Sequence, residues 1–92
     1  SSIEIENVLF KHKDIIDAAV VAKKDEKWGE VPCAFVTLKK NSTLKAKEIT
    51  QFCRNNMASY KIPKNIIFGK IDKTPTGKTQ KYLLRRKVNL ID

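Results

Sequence analysis

The sequence predicts a small α+β domain in which an antiparallel sheet of about three strands has helices packed against it. Segments with apolar residues at helical spacing alternate along the chain with short segments rich in β-branched residues. The length of 92 residues suffices for one domain with one hydrophobic core. A hydrophobic content of 41% with only three Gly and three Pro excludes a low-complexity linker, so residues 1–92 are predicted to form a single globular domain.

The first helix is predicted over residues 1–11. Ser1 and Glu4 have the S-x-x-E spacing of a capping box, in which two side chains satisfy free backbone N–H groups at a helix start. Ile5 and Val8 follow at a spacing that places both on one face of a helix. The expected helix therefore begins with the first residues and buries one apolar face.

Two strands are predicted next, over residues 17–24 and 31–39, because both segments are rich in residues that favour strands. A loop that carries Trp28 and Gly29 separates them, so an antiparallel pair is expected. Residues 34–38 place apolar side chains on both faces of the second strand. A strand of this kind needs cover on both sides, which predicts that it lies in the centre of the sheet.

The second half of the chain is predicted to contain two helices, one strand and one loop. An amphipathic helix is expected over residues 45–57, and a third strand over residues 65–71. Residues 72–78 contain Pro and Gly and are expected to form a loop. Thr79 is then the expected N-cap of a terminal helix over residues 80–88, with both leucines of that helix directed inward.

The charge of the chain favours an anionic partner. Nineteen Lys and Arg residues against ten Asp and Glu residues give a formal net charge of +9. Nucleic acid, an acidic membrane and a polyphosphate ligand all fit such a surface. Sixteen of the nineteen basic residues are Lys, whereas sites that read bases or bind phosphate with two hydrogen bonds favour Arg. The composition therefore argues against sequence-specific binding of nucleic acid.

The cysteine and histidine content indicates neither a metal site nor a disulfide framework. Cys33 and Cys53 are twenty residues apart, there is no C-x-x-C pair, and His12 is the single histidine. Both cysteines are predicted to be reduced and buried, and His12 to have a structural or surface role. The longest apolar run, residues 18–22, is too short to cross a membrane. An intracellular location is expected, in the cytoplasm or in an organelle such as the mitochondrion or peroxisome.

Residues 73–79, Lys-Thr-Pro-Thr-Gly-Lys-Thr, invite comparison with a phosphate-binding P-loop. That motif requires a glycine five positions before its Gly-Lys-Thr, and Asp72 occupies this position. The P-loop interpretation is therefore excluded. The remaining feature is a loop, hinged at Gly77, that presents Lys78 beside a predicted helix start, where the ammonium group and the helix dipole both favour an anion. From these residues alone, a solvated lysine without a chemical role is the alternative.

Residues 71–85 resemble the last core motif of the adenylate-forming superfamily of acyl-CoA synthetases, luciferases and peptide-synthetase adenylation domains. The motif has the general form Pro-Lys-Thr-x-x-Gly-Lys-x-x-(Arg/Lys), and Asp72 stands where the family usually has Pro. Four further segments are similar to the family and occur in the family's order: residues 3–6, 14–21, 25–32 and 60–63. Together these ordered matches resemble the C-terminal domain of acid-CoA ligases, closest to those for short-chain, medium-chain or aromatic acids.

The resemblance implies a chemical role for Lys78. In the family, the lysine at this loop position enters the active site of a large N-terminal domain, where it contacts the substrate carboxylate and the α-phosphate of ATP. Thr76 and Gly77 are expected to support the loop. The physics agrees with this role, because attack of a carboxylate on phosphorus brings two anions together and a positioned cation offsets their repulsion.

The resemblance also implies that part of a CoA site lies on this domain. In similar CoA ligases, the positions of Trp28, Gly29 and Arg54 lie beside the nucleotide end of CoA. The Trp28 ring is expected to cover the adenine, and Arg54 to pair with a phosphate. The alternative is that Trp28 is a partly buried loop anchor and Arg54 a solvated charge on a helix.

The expected function is that of the mobile C-terminal domain of an ATP-dependent acid-CoA ligase. ATP with Mg²⁺, a carboxylic acid and CoA are the implied substrates, and no cofactor is expected to bind tightly to this domain. The phosphate loop and acyl pocket would belong to the N-terminal domain, so the isolated 92 residues are expected to be inactive. Two alternatives remain: a stand-alone basic nucleic-acid-binding module, and an adenylate-forming enzyme with a luciferase-like reaction or a carrier protein as acceptor.

Overall fold

The computed structural model describes residues 2–89 of the chain, without the side chain of Ser59. In chain order, its helices and strands are α1 (Ser2–Leu9), β1 (Ile15–Asp25), β2 (Gly29–Leu38), α2 (Ala46–Asn56), β3 (Asn65–Phe68) and α3 (Lys81–Asn89). A short 3₁₀ turn, Ser59–Lys61, lies between α2 and β3. Each helix and strand lies close to its predicted position. The predicted capping box involves Ser1, which lies outside the described residues.

The three strands form one sheet in the order β1-β2-β3. β1 and β2 are antiparallel and pair from Asp25 opposite Gly29 at the hairpin end. β2 and β3 are parallel, with Cys33 beside Asn65 and Val36 beside Phe68. The α+β class and the three strands are therefore confirmed, but an all-antiparallel sheet is wrong. The reason is that α2 carries the chain back along β2, so the next strand enters the sheet in the same direction as β2.

The sheet separates two hydrophobic clusters, so the single core expected from the chain length is divided by the sheet, and β2 contributes to both parts. Ala34 and Val36 lie on the face that α1 and α2 cover, whereas Cys33 and Phe35 lie on the face that α3 covers. The first cluster also contains residues from both covering helices: Ile5, Val8, Leu9, Ile49 and Cys53. The second contains the buried residues of α3, Leu84 and Val88. The central position of β2 and its cover on both sides are as predicted.

The cysteines and the histidine have structural positions. Cys33 and Cys53 are free thiols with 0% of their surface exposed, and this burial raises the pKa of both thiols. The His12 ring packs edge-on against Phe52, with 4.8 Å between ring centroids. Nδ1 of His12 accepts a hydrogen bond of 3.0 Å from the backbone N–H of Asp14. These three residues stabilise the fold, as the sequence predicted.

Glu6 of α1 satisfies one backbone N–H on the free edge of β1. The backbone N–H of Val20 donates a hydrogen bond of 2.8 Å to Oε2 of Glu6. The same oxygen lies 2.7 Å from Nζ of Lys81 in α3. Since α1 and α3 cover opposite faces of the sheet, this carboxylate connects the two helices around the edge of β1. An edge strand would otherwise expose such N–H groups.

Candidate functional site

The loop between β3 and α3 is closed by backbone hydrogen bonds. Lys73 and Thr79 face each other as an isolated antiparallel bridge at the neck of the loop. The N–H of Thr74 donates to the carbonyl oxygen of Lys78 at 2.8 Å, and the N–H of Gly77 donates to the carbonyl oxygen of Thr74 at 2.8 Å. Residues 73–79 therefore form a small hairpin whose backbone is fixed by its own hydrogen bonds, and we refer to this segment as the lysine loop.

Two threonine hydroxyls and one glycine complete the turn of the lysine loop. Oγ1 of Thr74 accepts a hydrogen bond of 3.0 Å from the N–H of Lys78, and it lies 3.0 Å from Oγ1 of Thr76 in a second hydrogen bond. Gly77 has φ of 87°, in the left-handed region that glycine adopts without strain. Thr76 and Gly77 thus both belong to the turn that precedes Lys78.

The three lysines of the loop motif differ in their contacts. Nζ of Lys73 lies 2.9 Å from Oδ2 of Asp17, and Nζ of Lys81 lies 2.7 Å from Oε2 of Glu6. Lys78 is exposed, and within residues 2–89 no hydrogen bond or ion pair engages its ammonium group. The motif therefore pairs two of its cations internally and presents the third to the surroundings of the domain.

The turn between β1 and β2 is ordered by Asp25. Its Oδ1 accepts hydrogen bonds of 2.9 Å from the N–H groups of both Lys27 and Trp28. These two hydrogen bonds hold the pKa of the Asp25 carboxyl below its usual value, and the bond from Trp28 has the larger effect. Gly29 follows with φ of 82°. We refer to residues 25–29 as the tryptophan turn.

Trp28 lies on the outside of the tryptophan turn. Its surface is 63% exposed, so the interpretation of this residue as a partly buried loop anchor is wrong. The ammonium group of Lys27 lies 5.0 Å from the centroid of the indole ring, within the range of a cation–π contact. An exposed ring beside a cation is suited to stacking on a planar ligand that carries negative charge.

Arg54 lies on the exposed side of α2, near the end of that helix. Its Nη1 donates a hydrogen bond of 3.3 Å to Oε1 of Gln51. Among the described residues, no hydrogen bond or ring contact joins Arg54 to Trp28. The two candidate CoA residues are therefore separate surface features, and the fold does not bring them into contact.

The lysine loop and the tryptophan turn lie at opposite ends of β1. Asp17, which contacts the neck of the lysine loop, lies near the start of the strand, and Asp25 ends it. These residues are eight positions apart, which corresponds to about 26 Å at a rise of about 3.3 Å per residue. The lysine loop and the tryptophan turn are therefore two separate candidate surfaces of the domain.

Two segments that resemble the family, residues 3–6 and 60–63, meet through an ion pair. Nζ of Lys61 donates a hydrogen bond of 2.7 Å to Oε1 of Glu4. This hydrogen bond and the opposite charge raise the pKa of Lys61 and lower the pKa of Glu4. Tyr60 beside them is 82% exposed. Glu4 and Lys61 therefore pair with each other inside this domain.

The sequence did not identify Asp17, Thr74 or Glu6 as residues of the loop framework. Asp17 is 56 positions from Lys73 and lies within a predicted strand, so no local pattern connects the two residues. Glu6 belongs to the segment 3–6 that resembles the family, and it bonds to Val20 and Lys81. Thr74 belongs to the recognised motif, and that membership was the one signal that could have identified it.

Among residues 2–89, no helix combines the length and apolar character that a membrane span requires. The longest helix in this part of the chain, α2, has 11 residues, compared with about 20 for a span.

Comparison with known proteins identifies the family. The model of the AMP-binding enzyme C-terminal domain matches residues 4–78. The 2-methylpropanoate–CoA ligase CCL4 of Humulus lupulus is 52% identical over 88 residues, which is 92% of this chain and 16% of the relative. The peroxisomal acetate/butyrate–CoA ligase AAE7 of Arabidopsis thaliana is 47% identical over 92 residues, 95% of this chain and 16% of the relative.

The fold agrees with this relationship. A solved structure of a Mycobacterium tuberculosis fatty acyl CoA synthetase superposes with a TM-score of 0.87 at 36% identity. The match covers 95% of this chain and 17% of the synthetase chain. This chain therefore spans about one sixth of the length of the proteins it resembles. The resemblance read from the motifs is confirmed: the chain belongs to the AMP-binding enzyme C-terminal domain family.

Proposed function

We propose that this chain acts as the mobile C-terminal domain of an ATP-dependent acid-CoA ligase. The complete enzyme would convert a carboxylate and ATP to acyl-AMP and pyrophosphate, and then acyl-AMP and CoA to acyl-CoA and AMP. The observation that carries the proposal is the exposed ammonium group of Lys78, presented on a closed loop whose other motif lysines are paired. The CoA ligase names of the relatives support the reaction class.

Lys78 would act in the first half-reaction as a positioned cation. The carboxylate nucleophile and the α-phosphate of ATP repel each other, and an ammonium group between them stabilises the charge that develops in the transition state. Because the loop backbone is hydrogen-bonded to itself, only the Lys78 side chain has to be ordered when its ammonium group meets the reacting groups. The role asks Lys78 only for a positioned positive charge, so no proton transfer is required of it.

The separation of the two candidate surfaces supports a domain rotation. One orientation would bring the lysine loop to the acyl and ATP site, with Mg²⁺ entering as part of the ATP substrate. A second orientation would bring the end of β1 that carries Trp28 towards CoA. The distance of about 26 Å along β1 gives each half-reaction its own surface of the domain.

Trp28, Gly29 and Arg54 would contribute to the CoA site. The exposed indole would stack on the adenine ring, and φ of 82° at Gly29 would set the turn that presents it. The Arg54 guanidinium would pair with a phosphate of CoA. Because Trp28 and Arg54 are not in contact, the proposal requires a ligand that reaches both.

The CoA assignment is tested by replacing Arg54 with Ala in the complete ligase. The expected result is a higher KM for CoA with a smaller change in the KM for ATP, because one charge-assisted phosphate contact is lost. Lys40→Ala removes a positive charge from an exposed turn elsewhere and serves as the control. Equal effects of Arg54→Ala on both KM values, or equal effects of the two variants, would exclude Arg54 from the CoA site.

The overall reaction is tested by product analysis with the complete ligase. A panel of short aliphatic acids is the first choice, since relatives are named for acetate, butyrate and 2-methylpropanoate. Acid-dependent release of pyrophosphate and AMP with formation of acyl-CoA is the expected result. Transfer to a carrier protein in place of CoA would replace the proposed acceptor. Full activity of the 92 residues alone would contradict the need for an N-terminal domain.

We infer an intracellular location for the complete enzyme. Both cysteines are free and buried, as in proteins of reducing compartments, and one relative is named as peroxisomal. A fluorescent fusion of the complete protein, viewed with cytoplasmic, mitochondrial and peroxisomal markers, distinguishes the three compartments. Secretion of the fusion would contradict the inference.

A further inference from the structure

The neck of the lysine loop is attached to β1 by one side chain. Nζ of Lys73 lies 2.9 Å from Oδ2 and 3.1 Å from Oδ1 of Asp17, and 2.9 Å from Oγ1 of Thr79. Lys73 and Thr79 are also the two residues of the backbone bridge at the neck. One ammonium group therefore joins both sides of the neck to the sheet.

We propose that Lys73 and Asp17 are positioning residues for Lys78. The inference rests on the proposed role of Lys78 in adenylation. Hydrogen bonds within residues 74–78 fix the shape of the loop tip, but they do not fix its direction relative to the sheet. The contacts of Lys73 set that direction.

The Asp17 carboxylate is itself held in place. Its Oδ1 accepts a hydrogen bond of 2.9 Å from the backbone N–H of Ala18, next along the chain. Both partners are partly shielded, since the Lys73 side chain is 34% exposed and that of Asp17 is 22% exposed. An ion pair in this setting is less screened than one between fully exposed groups. The anchor point on β1 therefore has a defined position and orientation.

Lys73 is unsuited to contact the substrate directly. An ammonium group has three N–H donors, and Asp17 and Thr79 engage this group from two sides. Lys78, five positions further on, has no such partner among residues 2–89. The two lysines therefore have different roles: Lys73 attaches the loop to the sheet, and Lys78 extends from the loop.

The exit of the loop is fixed as well. Nζ of Lys81, the first residue of α3, lies 2.7 Å from Oε2 of Glu6. The same carboxylate oxygen accepts a hydrogen bond from the backbone N–H of Val20. The loop is thus bounded by two attachments, one to the start of β1 and one to α1. Loss of the Lys73 attachment would leave the tip intact in shape but free to change direction.

A displacement of about 1 Å at a reacting centre can lower a rate by about 100-fold. Lys73→Met keeps the length and the apolar stem of the side chain but removes its charge. In the complete ligase this variant is expected to slow acyl-AMP formation at least about tenfold, with much less effect on thioester formation from preformed acyl-AMP. Asp17→Asn is expected to act in the same direction, and Lys73→Arg to retain most of the rate.

The control is a second lysine–aspartate pair of the same domain. Nζ of Lys39 lies 3.2 Å from Oδ1 of Asp14, and among residues 2–89 no hydrogen bond or ion pair joins either side chain to the lysine loop. Lys39→Met is expected to leave both half-reactions unchanged, and both Met variants are expected to change Tm by similar small amounts, because such ion pairs add little stability. A loss of adenylation in Lys73→Met that matches that of Lys39→Met overturns the proposal.

The decisive experiment places Lys73→Met in the background of Lys78→Ala. If Lys73 acts only through Lys78, its replacement has no further effect on adenylation once Lys78 is absent. An equal fold-loss in both backgrounds would show an independent structural role and overturn the proposal. If Lys78→Ala alone leaves adenylation intact, the proposed function of the loop fails, and this inference fails with it. If Lys78→Ala abolishes adenylation but Lys73→Met does not lower it, only the positioning role fails.

Discussion

The backbone N–H of Lys78 donates a hydrogen bond of 3.0 Å to Oγ1 of Thr74, and the Lys78 carbonyl oxygen accepts one of 2.8 Å from the Thr74 N–H. Two bonds between the same two residues fix the Lys78 backbone. Its side chain remains exposed. The lysine loop thus combines an ordered base with a cation that is available to a ligand.

Thr74→Val tests the contribution of this contact. The change removes the acceptor for the Lys78 N–H and is expected to cost about 1 kcal/mol of local stability, with a several-fold slower adenylation rate in the complete ligase. Thr76→Val is the matched control, because it removes the hydroxyl–hydroxyl bond but leaves the Thr74–Lys78 bond in place. A rate loss as large in the control would show that the Thr74–Lys78 bond has no particular role.

Gly77 is required for the shape of the loop. A Cβ at this position would meet no atom within 4 Å, so the cost of substitution comes from φ of 87° and not from crowding. Gly77→Val is expected to destabilise the loop by about 1–2 kcal/mol. Gly77→Asn should cost less, because Asn tolerates the left-handed region better. Denaturant unfolding of the two variants checks this order, and the reverse order would contradict it.

The Asp25 carboxylate predicts a pH dependence of stability. Hydrogen bonds from Trp28 and Lys27 lower the pKa of this carboxyl in the folded protein. The contribution of the carboxylate to the stability of the fold is therefore present above about pH 3.9, the ordinary pKa of Asp. This contribution is lost as the pH falls through the lower pKa of the folded state. The difference in Tm between the wild type and Asp25→Ala is therefore expected to be constant from about pH 7 to 5 and to shrink below about pH 4. The Tm of Asp25→Asn, which keeps an acceptor oxygen, should lie between that of the wild type and that of Asp25→Ala. A difference that grows as the pH falls would contradict this account.

The buried thiols predict slow chemical modification. Burial raises the pKa of Cys33 and Cys53, so their neutral forms stabilise the fold below about pH 8.5, the ordinary value for Cys, and this stability is lost as the pH rises through the folded value. At pH 8, labelling by a thiol reagent is expected to be much slower than in denaturant. Labelling of the native protein at the rate of a free thiol would show that these positions are accessible.

Local patterns were sufficient to predict the helices and strands. The consecutive apolar residues of β2 predicted its central position, because a strand with two apolar faces has to be covered on both sides. The direction of β3 was not predictable in this way. Strand composition is the same for parallel and antiparallel pairing, and the direction depends on the path of the connection through α2.

The start of α3 differs from the prediction because Thr79 bonds to Lys73 at the neck of the loop. Thr79 is a residue type that often forms an N-cap, but its hydroxyl accepts a hydrogen bond from the Lys73 ammonium group. The helix begins at Lys81. Leu83 is 36% exposed, whereas Leu84 is buried as expected. The Asp17–Lys73 pair joins residues 56 positions apart, so no spacing rule could identify it.

The most direct test of the account is Lys78→Ala in the complete ligase, with each half-reaction measured separately in single-turnover experiments. Lys70→Ala, which removes another exposed lysine close in sequence, is the control. Acyl-AMP formation is expected to slow by about 100-fold or more, the usual effect of removing one group that stabilises transition-state charge, while thioester formation from preformed acyl-AMP changes much less. Equal losses in both half-reactions, or none in the first, would contradict the assignment of Lys78 to adenylation.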